Sequence, residues 1–408
     1  MTTGWQGIRI TGGHGMDVDA LRGAIGLVER WIADGVVPGA GILVQRSGER
    51  VAEAYLGVAD AGSGRPVTRD TTWSVASVTK PLTAAVAMRA VEAGLVTLDE
   101  PISNHVPELL EGDAASRGDL APGRERISLR QCLSHSSGLP GFAAENMDLR
   151  QAHRPLEDFV PAFARAPLVF APGTAHLYSN CAILMAAEVA GRVLGGAPGT
   201  GPTGTSAFRA AFAGLLGHLG MSRSALLPPA SWADRIATVT GTGQEGASYE
   251  MANSAYYRSL GIPWGGLFTT ARDLGKWLRT FIDSPVGLSG ALSAASVRAM
   301  MTVQASGPDT GATIPAALRD GAASGSRRGA VEWGIGWEVK GAKRDHPSGD
   351  LTSPRTISHL GATGTMTWSD AASGVQVVLL ANRTLASGWT RERPRHALFS
   401  NAVMASLR

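Results

Sequence analysis

The stretch Ser77-Val78-Thr79-Lys80-Pro81-Leu82-Thr83-Ala84-Ala85-Val86 decides how this chain is read. Its start is the one Ser-x-x-Lys in the sequence, and residues three apart on a helix share a face. Helical periodicity follows directly, with Leu82, Ala85, Val86, Ala90 and Ala93 on one side and Gly94 near the end. Such spacing brings a hydroxyl and an amine within reach of each other without help from the rest of the fold. The chain holds 37 basic side chains, and only Lys80, Lys276, Lys340 and Lys343 are lysines. Arginine keeps its proton near neutral pH, whereas a buried lysine can release it. The alternative is a surface lysine that follows a serine by chance, so the remainder of the chain has to decide.

Working outward, Val18, Leu21, Ile25, Val28 and Ile32 mark one face of an opening helix that Gly35 and Pro38 end. Residues 40–46 and 49–59 read as two strands joined at Ser47-Gly48. From about residue 102 to 258 helical stretches dominate, broken by Gly/Pro-rich loops at 112–124 and 195–206. Strand character returns at 333–340, 357–368 and 375–382, with a turn at 370–374, and a closing helix starts near Pro394. The expected fold is α+β: an antiparallel β-sheet flanked by helices, assembled from both ends of the chain, plus an all-helical lobe. The expected domains are 17–101 with 259–408 (the sheet domain) and 102–258 (mainly helical), with 1–16 as a mobile arm. Residues 305–330 and 341–355 read as mobile loops or surface excursions.

Composition narrows the function classes. The 408 residues are 44% apolar and 17% charged, with a net charge of +3 and no basic stripe, which excludes nucleic acid as a partner. No run approaches the roughly 18 apolar residues of a membrane span. The first seven residues have neither the basic start nor the apolar stretch of a signal peptide. Cys132 and Cys181 have no metal or redox spacing and read as reduced core residues, so a cytoplasmic location is expected. His-Glu-x-x-His and Cys-x-x-Cys are absent, so no metal is implied, and nothing calls for a cofactor. Gly-x-Ser-x-Gly is absent as well, against an α/β-hydrolase elbow. The Gly199–Gly204 glycine pattern follows a helix and contains a proline, and reads as a loop rather than a dinucleotide site.

A nucleophilic serine needs a base, an oxyanion site and a proton path for the leaving group. Lys80 near a helix N-terminus, kept from water, is a candidate base for Ser77. Pro172-Gly173-Thr174-Ala175-His176-Leu177-Tyr178-Ser179-Asn180 supplies a hydroxyl, Tyr178, able to shuttle a proton beside a cationic lysine. Asn180 can give and accept hydrogen bonds toward Lys80 or a substrate carbonyl. His359-Leu360-Gly361-Ala362 sits in a late strand, where Gly361 permits close backbone approach of a substrate. The amide after it, with that of Ser77, is a candidate oxyanion hole. Taken singly, Tyr178 reads sooner as a wall residue, Asn180 as a turn former and Gly361 as a bulge. Trp264, Trp333, Trp337 and Trp368 are candidates to line an apolar acyl pocket.

In this order the three pieces resemble the serine β-lactamase and penicillin-binding-protein superfamily, above all its class C-like branch with the family VIII carboxylesterases and related acyltransferases. The resemblance spans roughly residues 17–385 and includes 36–40, 133–140 and 265–274. It implies the β-lactamase/transpeptidase-like fold, with Ser77 as acylated nucleophile, Lys80 as its activating partner and Tyr178 as general base and acid. Asn180 becomes a ligand of substrate and lysine, and the amides of Ser77 and Ala362 the oxyanion hole. His135 becomes a loop-ordering residue. The third box departs from the family's Lys-Thr-Gly: a neutral His359 is a weaker anchor for a substrate carboxylate, and Leu360 removes a hydroxyl. No glutamate-bearing deacylation loop of the class A kind is present. The expected activity is a carboxylesterase acting on a small-molecule ester or amide, with a transacylase or a β-lactam or D-amino-acid amide hydrolase as alternatives. An inactive binding scaffold is the non-enzyme reading.

Overall fold

A computed structural model of the chain describes residues 7–11, 13–196, 204–282, 290–307 and 331–408. Residues 1–6 and 12 of the N-terminal arm, the Gly199–Gly204 loop apart from Gly204, and the 305–330 insertion beyond residue 307 lie outside the described residues.

The strands, in chain order, are β1 (Arg9–Ile10), β2 (Gly39–Arg46), β3 (Glu49–Asp60), β4 (Arg65–Pro66), β5 (Trp73–Ser74), β6 (Phe268–Thr269), β7 (Ala305–Gly307), β8 (Val331–Trp333), β9 (Glu338–Val339), β10 (Ile357–Gly361), β11 (Thr365–Asp370) and β12 (Val375–Ala381). The main sheet runs β1-β3-β2-β12-β11-β10-β9-β8-β7, with β4 attached to β3, while β5 and β6 pair separately. Every strand pairing is antiparallel. The centre therefore joins the two ends of the chain: β2 pairs β12 from Val375↔Arg46 to Ala381↔Ala40. At Ser47-Gly48 both residues have positive φ, +51° and +80°, which matches the right-handed strand twist and closes a tight hairpin. The fold is α+β, an antiparallel sheet with helices on both faces.

Side chains alternate across a strand, and here both faces are covered. Ile42, Val44, Leu56, Val377, Leu379, Met366 and Trp368 pack with Leu21, Ile25, Val28, Phe399 and Val403 of the Val18–Ala33 and Arg395–Met404 helices. Leu43, Val378, Leu380 and Ile357 enter the larger core with the Lys80–Glu92, Asn180–Leu194 and Ala271–Leu278 helices. Two-sided burial explains why β2 and β12 read as nearly continuous apolar runs. The Lys80–Glu92 helix is buried from Lys80 to Met88, so its face pattern understates how deep it lies.

Several expectations change. The 357–368 stretch is two strands, reversing at 362–364 where Gly364 has φ +96°. The 333–340 strand is interrupted: β8 and β9 are separated by a turn in which the Gly334 amide donates to the Trp337 carbonyl at 2.8 Å. Within the stretch read as a mobile arm, β1 pairs β3, and Met16 is buried. The 341–355 excursion is packed, with His346, Ser348 and Thr352 linked by hydrogen bonds of 2.7 and 2.8 Å. Ser77 does not lie in the long helix. It occupies a 3-10 turn, Ala76–Thr79, that feeds into the helix at Lys80.

Asn382, 1% exposed, ties the strand ends to the rest of the fold. Its Oδ1 accepts from the Gly39 amide at 3.0 Å, and its Nδ2 donates to the carbonyls of Val58, Ala59 and Thr238 at 3.2, 3.2 and 3.1 Å. Removing the amide strands several buried backbone groups, each worth roughly 1–3 kcal/mol. Asn382→Leu should therefore destabilise the protein by about 3 kcal/mol, read from the urea midpoint; a change below about 0.5 kcal/mol, the usual surface range, would contradict this role.

Candidate active site

The site is built on the turn before Lys80. Ala76 has φ +44°, a left-handed conformation that is uncommon for a side chain with a Cβ, and it turns the chain so that Ser77 stays half-buried while its neighbours are buried. Thr79 holds the turn: its hydroxyl donates to the Ala76 carbonyl at 2.6 Å and accepts the Leu267 amide at 3.0 Å. Further along the helix the Thr83 hydroxyl donates to the Pro263 carbonyl at 2.6 Å. The 263–267 loop thus wraps the start of the helix.

Lys80 is fully buried. Its Nζ donates to Ser77 Oγ and to the Trp264 carbonyl, both at 2.9 Å. Across it lies Tyr178, half-buried, whose ring centroid is 4.5 Å from Nζ. Asn180 opens the Asn180–Leu194 helix two residues later, 1% exposed, with its backbone N–H donating to the Gly141 carbonyl at 3.0 Å. The 133–140 stretch carries this segment: the Pro140 carbonyl accepts from Ser179 Oγ at 2.7 Å, and the His135 carbonyl and Nδ1 accept the amides of Leu177 and Ser179 at 2.9 and 3.1 Å.

The third box arrives from β10. Ile357, His359 and Gly361 alternate with Ser358 and Leu360, and Leu360 packs against the opposite core. The hydroxyl expected to be missing at position 360 is therefore on the far face. Gly361 ends its strand, and the fold itself already requires the missing Cβ. A Cβ there would run into the Val75 carbonyl oxygen and Thr365 Oγ1. Thr363 Oγ1 donates to the Ser74 carbonyl at 2.7 Å and Thr365 Oγ1 to the Val75 carbonyl at 3.1 Å. These two threonines clamp the β10–β11 turn, with Ala362 in it, against the backbone just before Ser77. Sequence reading missed both; their signal was the small and hydroxyl-rich run Gly361-Ala362-Thr363-Gly364-Thr365.

His359 is 3% exposed, and its Nδ1 lies 2.8 Å from the Leu360 carbonyl. A carbonyl only accepts, so Nδ1 carries the proton. The ring centroid is 6.1 Å from that of Tyr178 and 5.8 Å from that of Trp333. Of the four tryptophans proposed for an acyl pocket, Trp333 stands beside Tyr178 at 5.7 Å. Trp264 packs on Phe163, and Trp337 and Trp368 are fully buried in the two cores. Lys340 and Lys343 are buried as well, donating to carbonyls around the 341–355 excursion, so burial alone does not make a lysine a catalytic candidate. Lys340 also donates to a hydroxyl, that of the buried Thr352 at 3.0 Å; what distinguishes Lys80 is that its hydroxyl partner, Ser77, is only half-buried and that the Tyr178 ring lies across its Nζ.

A profile of the beta-lactamase family matches residues 25–400. Esterase EstB of Burkholderia gladioli is 30% identical over 330 residues, covering 72% of this chain and 80% of that protein. Among solved structures, EstCE1, described as a hydrolase with promiscuous acyltransferase activity, superposes with a TM-score of 0.71 at 20% identity, covering 95% of this chain and 99% of that one. A family VIII carboxylesterase gives a TM-score of 0.71 at 21% identity, covering 98% of this chain and 100% of its own. The chain belongs to the beta-lactamase family, and it is a serine hydrolase of the beta-lactamase-like superfamily. Among the described residues no helix is long and apolar enough to cross a membrane, and no group of three or more side chains is placed to hold a metal ion.

Two imidazoles near Tyr178 are held neutral. Burial pushes His176 down to about 3. Burial, then His176, Lys80 and His359, hold His135 well below the ordinary histidine range. A folded pKa below the unfolded one means that stability is fully present above the unfolded value and is lost as pH falls. For His176 the window runs from 6.5 down to about 3. Within it each pH unit removes about 1.4 kcal/mol per such histidine, because the unfolded chain takes up a proton that the folded chain does not. Urea unfolding at pH 7, 6 and 5 should show a shallower loss of stability in His176→Phe than in the wild type; parallel curves would contradict a neutral His176.

Proposed function

We propose that this chain is a carboxylesterase that works through a covalent acyl-enzyme on Ser77. The observation that carries this is the buried Lys80 Nζ 2.9 Å from Ser77 Oγ, with the Tyr178 ring across it. A fully buried ammonium that donates to Oγ lowers the energy of the alkoxide form of Ser77. Because Nζ is already donating to both Oγ and the Trp264 carbonyl, the proton of Ser77 is taken by Tyr178, whose phenolate the same cation stabilises. Oγ attacks the ester carbonyl, the C–O bond to the alcohol breaks, and Tyr178 returns the proton to the departing alkoxide. Water then attacks the acyl group with Tyr178 again as base, releasing the acid and restoring the serine hydroxyl.

In this reading the amides of Ser77 and Ala362 receive the developing oxyanion, a contribution of several kcal/mol. The Thr363 and Thr365 bonds to Ser74 and Val75 support it, because they tie the two amide-bearing turns together. Asn180 and His359 border the substrate. His359, with its Nδ1 held on the Leu360 carbonyl, gives a carboxylate-bearing β-lactam or D-amino-acid amide a poorer anchor than a lysine would, which favours simple esters. The ligand lies between the sheet domain (17–101 with 259–408) and the helical lobe (102–258). Cys132 and Cys181, buried free thiols, suit the cytoplasmic location that goes with this reading.

The second reading is transacylation, in which an amine or alcohol replaces water at the same acyl-enzyme. It is favoured by the likeness to EstCE1, described as having promiscuous acyltransferase activity. Ester mixed with candidate amines and alcohols distinguishes the two: free acid alone supports hydrolysis, and acylated acceptor supports transfer.

Ser77→Ala should abolish ester turnover and labelling by a fluorophosphonate, and retained turnover would overturn the assignment. Tyr178→Phe should lower kcat by about 100-fold or more, the usual contribution of a general acid–base group. A change below about threefold would move that role elsewhere.

A further inference from the structure

His135 is absent from the mechanism above, yet its geometry is directed at Tyr178. It is 1% exposed and holds a strained left-handed backbone at φ +59°, a conformation that persists in a non-glycine residue when the surroundings enforce it. Its carbonyl accepts the Leu177 amide at 2.9 Å and its Nδ1 accepts the Ser179 amide at 3.1 Å. The backbone amides of the two residues on either side of Tyr178 therefore end on one residue. The same imidazole lies against the Tyr178 ring, with centroids 4.4 Å apart and planes at 36°. Trp333 and His176 pack edge-on against its ring at 4.8 and 5.9 Å, at 78° and 79°.

The hydrogen bonding fixes the tautomer. An amide N–H only donates, so Nδ1 is bare and the ring proton sits on Nε2. Protonating Nδ1 would set two hydrogens against each other and break the clamp. The charged and titratable groups around the ring are Lys80, His176, His359 and Tyr178; burial first, then His176, Lys80 and His359, keep the imidazole neutral.

We propose that His135 is a positioning residue for Tyr178: it grips the backbone on both sides of the tyrosine and backs its ring, setting the phenol against Lys80 and Ser77. This rests on Tyr178 being the acid–base group. Displacing such a group by about 1 Å costs on the order of 100-fold in rate, with little change in ground-state substrate binding.

The test is a double-mutant cycle read in kcat and KM for p-nitrophenyl butyrate, with thermal unfolding to establish folding. His135→Phe keeps a ring but loses the Nδ1 acceptor. His135→Asn tolerates positive φ and places Oδ1 where Nδ1 was. The expected result is a loss of about 100-fold in kcat for His135→Phe with KM within about threefold, and a loss of about tenfold or less for His135→Asn. In a Tyr178→Phe background either change should cost less than about threefold, because the group being positioned is gone. Equal losses in both backgrounds would overturn the proposal while leaving the Tyr178 assignment intact. A Tyr178→Phe enzyme with wild-type kcat would overturn that assignment instead, and the proposal with it. If His135→Phe fails to fold, the Asn cycle decides alone: a kcat for His135→Asn that falls by more than about 100-fold, and equally in both backgrounds, overturns the proposal.

Discussion

The buried amine of Lys80 organises the candidate active site. Lys80 Nζ has no access to solvent and is held between Ser77 Oγ and the Trp264 carbonyl. Removing an ammonium group from water is unfavourable by several kcal/mol unless donors and acceptors replace the lost hydration. The surroundings of Lys80 answer that requirement. Thr79 and Thr83 fasten the 263–267 loop onto the helix start so that the Trp264 carbonyl faces Nζ, and the Tyr178 ring closes the other side.

The sheet supplies the third wall. Its central pairing, β2 with β12, joins chain segments more than 300 residues apart, and Asn382 at the end of β12 secures that junction. The adjacent β10–β11 hairpin reaches the nucleophile turn through Thr363 and Thr365, and only a glycine at 361 allows the contact. The two turns that carry the candidate oxyanion amides are thus fixed by one set of backbone contacts. Tyr178 is fixed by another, the 133–140 stretch with its strained His135.

Much of this was legible in the sequence, and the failures have physical causes. Ser77 and Lys80 were legible because the i, i+3 relation holds in a 3-10 turn as it does in an α-helix. The turn itself was hidden, since nothing about Ala76 announces a φ of +44°. Residues 357–368 read as one strand because Thr363, Thr365 and Thr367 are good strand formers, and only Gly364 marked the reversal. The structural need for Gly361 was not legible because the group that packs against it, Val75, lies 286 positions earlier. Lysine scarcity drew attention to Lys80, but Lys340 and Lys343 are buried as well and donate to backbone carbonyls, so scarcity also fits structural hydrogen bonding. The N-terminal segment looked like an arm because a two-residue edge strand has no periodicity to read.

The account depends on Lys80 most of all, and the pre-steady-state burst of p-nitrophenolate from p-nitrophenyl butyrate tests it most directly. Lys80→Met, which keeps the stem and removes the ammonium, should fold as the wild type does and lose the burst rate by about 100-fold or more, in the range expected for loss of an activating group. A Lys80→Met enzyme that acylates Ser77 at the wild-type rate would contradict the account.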